Sequence, residues 1–194
     1  MTTSTRGRPH ASSREVLADA ACELFLEQGY DATSVAEITR RAGVSRSSFF
    51  NYFESKSGLL WFVFDAHTGA LVDALEGSRA TLDEALAAFG RGEPPETLAL
   101  AIVDARTMRV EEELLAGRAA RQSRIAAAIA ARLEREGESP VRAEIRAAGY
   151  AAALIGAVWR WALQGAGRHP LHGAVAESLG AAAEVLSGEG SRPY

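Results

Sequence analysis

Apolar residues recur at spacings of three and four along almost the whole chain, and no stretch alternates apolar and polar residues for long. This period is that of an amphipathic α-helix, whereas a half-buried strand repeats every second residue. The pattern therefore predicts an all-α protein of about nine helices. One of them is a long fourth helix that is capped by Ser55 or Ser57 and closed by Gly77. The others are predicted over 13–28, 35–42, 45–52, 81–89, 96–115, 118–136, 140–164 and 171–187.

The first helices carry clear start and stop signals. Ser12 to Glu15 and Ser34 to Glu37 match the capping box, in which a serine and a glutamate three residues later satisfy free N–H groups of the first turn. Gly43 can end the second helix because glycine adopts the left-handed conformation at low cost. Ser45 follows two residues later and can cap a third helix. Two short helices joined by so tight a turn predict a helix-turn-helix over 34–53.

The helix-turn-helix has inward and outward positions. The apolar residues whose spacing lets them meet in one small core are Val35, Ile38, Ala42, Val44, Phe49 and Phe53. The outward residues are small hydroxyls, one arginine, one asparagine and aromatics, namely Ser45, Arg46, Ser47, Ser48, Phe50, Asn51 and Tyr52. Such side chains suit close approach to phosphates and base edges in a major groove. Spacing alone leaves open a second interpretation, in which these helices belong to an ordinary bundle and Arg46 and Lys56 are simply solvated.

The stretch from Thr33 to Lys56, TSVAEITRRAGVSRSSFFNYFESK, resembles the N-terminal domain of the tetracycline-repressor (TetR) family without a gap. The resemblance implies a homodimeric transcription regulator, expected to be a repressor, that binds double-stranded DNA at a palindromic operator. A small effector in the C-terminal domain would move the fourth helix and release the DNA. The expected domains are an N-terminal arm (1–12), a DNA-binding domain (13–58), an effector-binding and dimerisation domain (59–187) and a tail (188–194).

The resemblance also assigns roles to single residues. The expected DNA contacts are at helix starts, on the outer face of the recognition helix and at the start of the fourth helix: Ser34, Ser45, Arg46, Ser47, Ser48, Phe50, Asn51, Tyr52 and Lys56. Lys56 is expected to meet a phosphate, and helix N-termini such as those at Ser34 and Ser45 attract phosphate oxygens. Arg6 and Arg8 resemble arms that some family members lay along the minor groove, although a solubilising tail explains them equally well.

Two residues depart from the family pattern. The family commonly has tyrosine where this chain has Phe50, so a phenolic hydrogen bond to phosphate would be missing. Thr39 stands where helix-turn-helix proteins usually place alanine. Its extra bulk requires a different helix crossing or a hydroxyl bond to the preceding turn. Neither departure removes the motif.

The effector site is the part of the protein that the sequence determines least. Large side chains that could line a cavity between the fourth and later helices are Trp61, Phe64, His67, Phe89, Met108, Tyr150 and Trp159. For each of them, ordinary core packing is the simpler interpretation. The aromatic content of the fourth helix favours an apolar or planar organic effector.

The helices over 140–164 and 171–187 are the candidates for a dimer interface. The first carries small residues at spacings of three, four and seven, which let a partner helix approach closely: Gly149, Ala152, Ala153 and Gly156. The second carries an apolar stripe of Leu171, Val175, Leu179, Ala182 and Leu186. Together they predict a four-helix interface between two copies of the chain.

Composition narrows location and partners. The 194 residues are 47% hydrophobic and carry a net charge of −4, which is typical of a globular protein and argues against an architectural protein that binds any duplex. The single cysteine, Cys22, cannot form an internal disulfide. No apolar run reaches the roughly 20 residues of a membrane span, and residues 1–14 lack the apolar segment of a secretory signal. A cytoplasmic protein without membrane association is expected.

Enzymes form the other competing class. The chain has no glycine-rich phosphate loop and no nucleophile elbow. His169 and His172 flank Pro170 and lack an obvious third ligand for a metal. We therefore expect no catalytic residue, cofactor or metal. A helical enzyme and a non-specific architectural DNA-binding protein remain the alternatives to a regulator.

Overall fold

The computed structural model describes residues 13–77 and 79–187. Within these ranges the chain forms ten helices and no β-strand, which confirms the all-α prediction. Arg6, Arg8, the cap residue Ser12 and the tail lie outside the described residues. The helices are α1 (Ser13–Gln28), α2 (Val35–Ala42), α3 (Arg46–Tyr52), α4 (Gly58–Glu76), α5 (Leu82–Ala88), α6 (Glu96–Val103), α7 (Ala105–Met108), α8 (Glu111–Arg135), α9 (Pro140–Leu163) and α10 (Leu171–Ser187).

The first three helices form a small unit with its own core. Ile38, Phe49 and Phe53 are buried with the inner face of α1, and Val35, Ala42 and Val44 pack against the same core. The capping box is present: Ser34 Oγ accepts a hydrogen bond from the Glu37 N–H, while the Glu37 carboxylate accepts one from the Ser34 N–H. Gly43 ends α2 with a φ of 68°, as predicted.

The fourth helix, α4, connects this unit to the rest of the molecule and contacts α5, α6 and α8. Among the described helices it has the length and apolar composition that a membrane span would need. In this fold its apolar residues serve the core, because Leu59, Leu60, Trp61 and Phe64 are all buried at its start.

The helix pattern between α5 and α9 differs from the prediction. The sequence predicted one helix to 115 and a break at 116–117, but the break lies at Arg109, which adopts a left-handed backbone with a φ of 54°. Gly117 instead lies inside α8, where a methyl group would come within 2.7 Å of Trp61 Cζ2. The glycine at this position is explained by the close approach of an indole ring. A further break at Asp104 separates α6 from α7, so the described chain has ten helices, one more than predicted.

The apolar stripe of α10 faces the core of its own chain. Leu171 and Val175 are buried within the chain, and a methyl group at Gly90 would lie 3.0 Å from Leu171 Cγ. Gly149 of α9 is likewise covered, because a methyl group there would lie 2.9 Å from Leu186 Cδ1 of the same chain. These residues dock α10 onto its own core, so the prediction that they form the dimer contact was wrong.

Candidate DNA-binding surface and effector site

Helix α3, the predicted recognition helix, is anchored by one residue and exposed elsewhere. Phe49 is completely buried, whereas the side chains around it are open to solvent or nearly so: Arg46, Ser47, Ser48, Phe50, Asn51 and Tyr52. Ser45 caps the helix by accepting a hydrogen bond from the Ser48 N–H at 3.1 Å. One face therefore holds α3 in place while its first turn and outer face remain accessible.

Aromatic and basic groups lie side by side on this outer face. Phe50 is 52% exposed and Tyr52 is 42% exposed, unusually high values for aromatic rings. The Arg46 guanidinium carbon lies 5.7 Å from the centre of the Phe50 ring, and that of Arg14 lies 5.8 Å from the Tyr52 ring. These rings hold two cations at the surface, which is suited to a phosphate backbone.

Thr39 is accommodated as expected. Its side chain is buried, and its hydroxyl donates to the carbonyl oxygen of Ala36 over 3.1 Å. The hydroxyl thus finds a partner inside its own helix, so the substitution for alanine leaves no buried polar group unpaired.

Arg41 braces the helix-turn-helix by joining α2 to α1. Its guanidinium makes ion pairs with Glu23 at 3.0 Å and with Glu27 at 2.7 Å, both on α1. Hydrogen bonding to Arg41 lowers the pKa of Glu27 below its usual value. The sequence analysis did not identify this brace, and only the crossing of α1 and α2 brings these charges together.

Lys56 has two partners inside the protein. Its Nζ donates to the backbone carbonyl oxygens of Tyr30 at 2.8 Å and Thr33 at 2.9 Å, and it lies 4.2 Å from the centre of the Tyr30 ring. An ammonium group has three N–H donors, so one remains. The half-buried lysine therefore ties the start of α4 to the turn between α1 and α2, a role that sequence analysis did not foresee.

The same turn contacts the C-terminal part of the chain. The Tyr30 N–H donates to the carbonyl oxygen of Met108 over 2.7 Å, and the Arg109 side chain packs closely over Gly29. Burial and the charge of Glu113 raise the pKa of the Tyr30 hydroxyl to about 12, so it stays protonated at neutral pH. This junction connects α7 and α8 directly to the unit formed by α1, α2 and α3, and no spacing in the sequence indicates it.

Five of the predicted effector residues form one chain of ring contacts: Trp159, Trp61, Phe64, Phe89 and His67. Phe64 lies 5.6 Å from both Trp61 and Phe89, measured between ring centres, and Trp159 lies 5.9 Å from Trp61. Trp61, Phe64, Phe89, Met108 and Tyr150 are buried, while His67 and Trp159 are half-buried. Ordinary core packing therefore accounts for the five buried residues of this set.

One polar group in the cluster has no partner. The Trp61 indole N–H is buried and makes no hydrogen bond within the described residues. Arg121 covers the ring at 4.0 Å and forms an ion pair with Asp65 on α4, with a closest approach of 2.6 Å. A buried donor without an acceptor costs free energy. The indole N–H lies against Gly117 of α8, where a methyl group would come within 2.8 Å of Trp61 Nε1.

His67 borders a cleft. Its Nε2 lies 2.8 Å from the carbonyl oxygen of Glu93, and the ring contacts Phe89 at 5.7 Å. The adjacent cleft has a volume of about 330 Å³ and lies between the beginning of α1 and α4. No group of three or more side chains that could hold a metal occurs in the described part of the chain, where His169 and His172 are both exposed.

Known proteins resemble the chain in its N-terminal part and in its fold. Residues 17–60 match the model of the tetR family of bacterial regulatory proteins. The HTH-type transcriptional repressor Rv1474c of Mycobacterium tuberculosis is 30% identical over 128 residues, which cover 65% of this chain and 67% of the relative.

Other similarities are shorter or more distant. MftR, also from Mycobacterium tuberculosis, is 33% identical over 98 residues, or 47% of this chain. Its name describes a mycofactocin biosynthesis transcriptional regulator. The chain spans half the length of that relative (50%). The solved structure of NalD, named as the secondary repressor of the MexAB-OprM multidrug efflux pump in Pseudomonas aeruginosa, superposes with a TM-score of 0.56 and 19% identity. The superposition covers 89% of this chain and 96% of NalD, and it shows that the two proteins share a fold.

Proposed function

Because the chain belongs to the TetR family of bacterial regulatory proteins, we propose that it is a DNA-binding transcription regulator. We propose that it acts in the cytoplasm as a homodimeric repressor of a palindromic operator and is released by a small organic effector. The observation that carries this proposal is the orientation of α3, which is anchored by buried Phe49 while Arg46, Asn51 and Tyr52 remain exposed.

In the proposed complex, the start of α3 enters a major groove. Arg46 and Asn51 have the hydrogen-bonding groups that read base edges, whereas the hydroxyls of Ser47 and Ser48 and the free N–H groups at the N-termini of α2 and α3 approach phosphates. Phe50 packs against the sugar-phosphate surface without the hydrogen bond that a tyrosine would supply. The remaining donor of Lys56 contacts a phosphate at the start of α4.

Effector binding is proposed at the aromatic cluster beside α4. The unpaired Trp61 N–H supports this place, and the half-buried Trp159 ring lies next to it with the Arg118 guanidinium carbon 4.8 Å from its centre. The Arg121 to Asp65 ion pair joins α8 to α4, so a molecule that separates these helices would shift α4. That shift would reach Lys56 and change the separation of the two recognition helices from the about 34 to 36 Å that successive grooves require.

The dimer is proposed to form through the outer faces of α9 and α10. Val141 and Ile145 of α9 are well exposed, and they lie one helical turn apart on one face. On α10, the exposed face opposite the buried stripe carries small residues that permit close approach: Gly173, Ala176, Gly180 and Ala183. The helices of the sequence prediction are retained, but the contacting faces are those that the chain leaves uncovered.

Two other classes are less well supported. The relatives are named as transcriptional regulators, which favours regulation over catalysis. A non-specific architectural protein would need more positive than negative charge on its surface, whereas this chain has a net charge of −4.

The decisive experiment is a gel shift of the full-length protein with DNA that flanks its own gene. We expect one fragment to be retained over an excess of bulk competitor DNA. Arg46→Ala should abolish retention, whereas the charge-matched Arg124→Ala on exposed α8 should not. Equal binding of all fragments would support the architectural class, and no binding of any duplex in a systematic selection would reject the regulator.

A further inference from the structure

One line of side chains on α3 faces directly away from the core. Phe49 is completely buried and holds the opposite side of the helix. Ser47 and Asn51 lie two residues before and after Phe49, and two residues turn an α-helix by about 200°. Both side chains are exposed. They therefore occupy the part of α3 that would lie deepest in a major groove.

An aromatic ring that carries a cation lies on each side of this outward line. On one side, the Arg46 guanidinium carbon lies 5.7 Å from the centre of the Phe50 ring. On the other side, the Arg14 guanidinium carbon lies 5.8 Å from the centre of the Tyr52 ring. Rings on both flanks suit the sugar-phosphate walls of a groove. The outward line between them is left facing the base edges on the groove floor.

Asn51 is the residue of this line whose hydrogen-bonding groups are available. The Ser47 hydroxyl is engaged, because it lies 2.8 Å from the Ser45 hydroxyl, which also contacts the Ser48 hydroxyl at 2.8 Å. The Asn51 amide, in contrast, makes no side-chain hydrogen bond within residues 13–77 and 79–187. Its N–H donors and its oxygen acceptor can both serve a ligand.

We propose that Asn51 selects adenine in each half-site of the operator, an inference that rests on the proposed function. A side-chain amide presents an N–H donor and an oxygen acceptor side by side. Adenine presents the matching pair in the major groove, because its N7 accepts and its N6 amino group donates. The Asn51 N–H donates to N7 and the Asn51 oxygen accepts from N6.

The other three bases match this amide less well. Guanine presents two acceptors, N7 and O6, so one of them faces the amide oxygen. Cytosine offers its amino donor alone, and thymine offers an acceptor beside a methyl group. Each of these bases leaves one polar group of the amide desolvated without a partner, which costs affinity.

The size of the outward side chains permits the close approach that a short amide needs. Asparagine reaches a base edge only when the helix lies deep in the groove. Ser47, the other residue of the line, is small as well and does not hold α3 away from the groove floor. A large side chain at this position would keep the Asn51 amide out of reach of the bases.

The test selects binding sites for the full-length protein from a library of random DNA duplexes. We expect one position of each half-site at which adenine is bound at least fivefold more tightly than any other base. In Asn51→Ala this preference should fall to about twofold or less, while the preferences at other positions remain. Because Asn51 is exposed and alanine favours helix, the variant is expected to fold, which circular dichroism checks.

A modified base then identifies the atoms. 7-Deazaadenine carries a C–H group in place of N7 and still pairs with thymine. At the selected position it should weaken binding of the parent protein at least threefold and leave binding of Asn51→Ala nearly unchanged, as measured by fluorescence anisotropy. The N7 acceptor matters only when the Asn51 amide is present to donate to it.

The control variant removes a polar group from the adjacent line of α3. Ser48→Ala should lower the affinity for all sequences to a similar extent and keep the adenine preference, because a hydroxyl at a phosphate reads no base. A uniform loss in Asn51→Ala would assign its amide to a phosphate and overturn the inference. An adenine preference that survives in Asn51→Ala, or an equal loss with 7-deazaadenine in both proteins, would overturn it too.

These outcomes separate the inference from the proposed function. An operator that is bound without an adenine preference dependent on Asn51 overturns the inference and leaves the regulator in place. A selection that enriches no sequence rejects the regulator, and the inference with it.

Discussion

The amide N–H of Tyr30 donates a hydrogen bond to the carbonyl oxygen of Met108 over 2.7 Å. This bond joins the turn between α1 and α2 to the end of α7, and Lys56 joins the same turn to the start of α4 through two further hydrogen bonds. These hydrogen bonds connect the DNA-binding unit to the end of α7 and to the start of α4, and α1 also contacts α4 and α6. We expect movement of either α4 or the α7–α8 junction to be transmitted to α3.

Lys56→Met should reduce both stability and operator affinity. The variant loses two hydrogen bonds from a charged donor, which cost about 2 kcal/mol in stability, and it loses one phosphate contact. We expect a lower Tm, and a slope of log affinity against log salt reduced by about one without a change in sequence preference. A lower Tm with an unchanged salt slope would make Lys56 a brace alone and reject the phosphate contact.

Phe50→Tyr should strengthen DNA binding. The Phe50 ring is 52% exposed and packs edge-on against Phe49 at 5.2 Å, so a hydroxyl at its tip meets no steric obstacle in the free protein. A new hydrogen bond to phosphate is worth about 1.5 kcal/mol, or about tenfold in affinity. Fluorescence anisotropy with a labelled operator measures the change. Weaker binding of the tyrosine variant would place this ring away from the DNA backbone.

Gly117→Ala should destabilise the protein although alanine favours helix. The gain in helix propensity is about 1 kcal/mol, while overpacking costs about 1 to 3 kcal/mol because the new methyl would lie 2.7 Å from the Trp61 ring. The matched control is Gly69→Ala in α4, where no atom lies within 4 Å of the new methyl, and it should be stabilising. Urea unfolding of both variants gives the two free energies. A stabilised Gly117→Ala protein would contradict the close packing of α4 against α8.

Alkaline pH should weaken the fold through Cys22. Burial, together with Asp19 and Glu23, raises the pKa of this thiol from 9.0 to about 12. Between these values the unfolded chain releases a proton that the folded protein keeps, so the free energy of unfolding falls as pH rises above about 9. Cys22→Ala should have a shallower decline between pH 9 and pH 10.5 than the parent protein. Identical slopes would indicate that the thiol ionises normally in the folded state.

Ile145→Glu should dissociate the proposed dimer. Ile145 is 60% exposed on the outer face of α9, and a carboxylate buried against a second copy would remain uncompensated. Leu115→Glu changes a residue of α8 that is 70% exposed and serves as the control. Light scattering at micromolar concentration should give the mass of one chain for the first variant and of two chains for the second. A monomeric parent protein would reject the dimer itself.

Several features could be predicted from local sequence because their causes are local. The period of apolar residues gave the bounds of α1, α2 and α9 closely, and the capping pair of Ser34 and Glu37 forms as predicted. The exposed face of α3 also followed, since the positions that must be apolar leave the remaining ones outside. The break at Arg109 was missed because nothing in its own side chain favours a positive φ.

The sequence by itself determined the all-α architecture, the position of the helix-turn-helix and the exposed face of its second helix, because helix period, caps and turns depend on residues a few positions apart. Only the tertiary structure decided that Lys56 binds the Tyr30 turn, that α10 turns its stripe inward, and that Gly117 makes room for Trp61. These relationships join residues far apart in the chain. They depend on which faces of which helices meet, and the apolar period indicates that a face is buried without specifying what covers it.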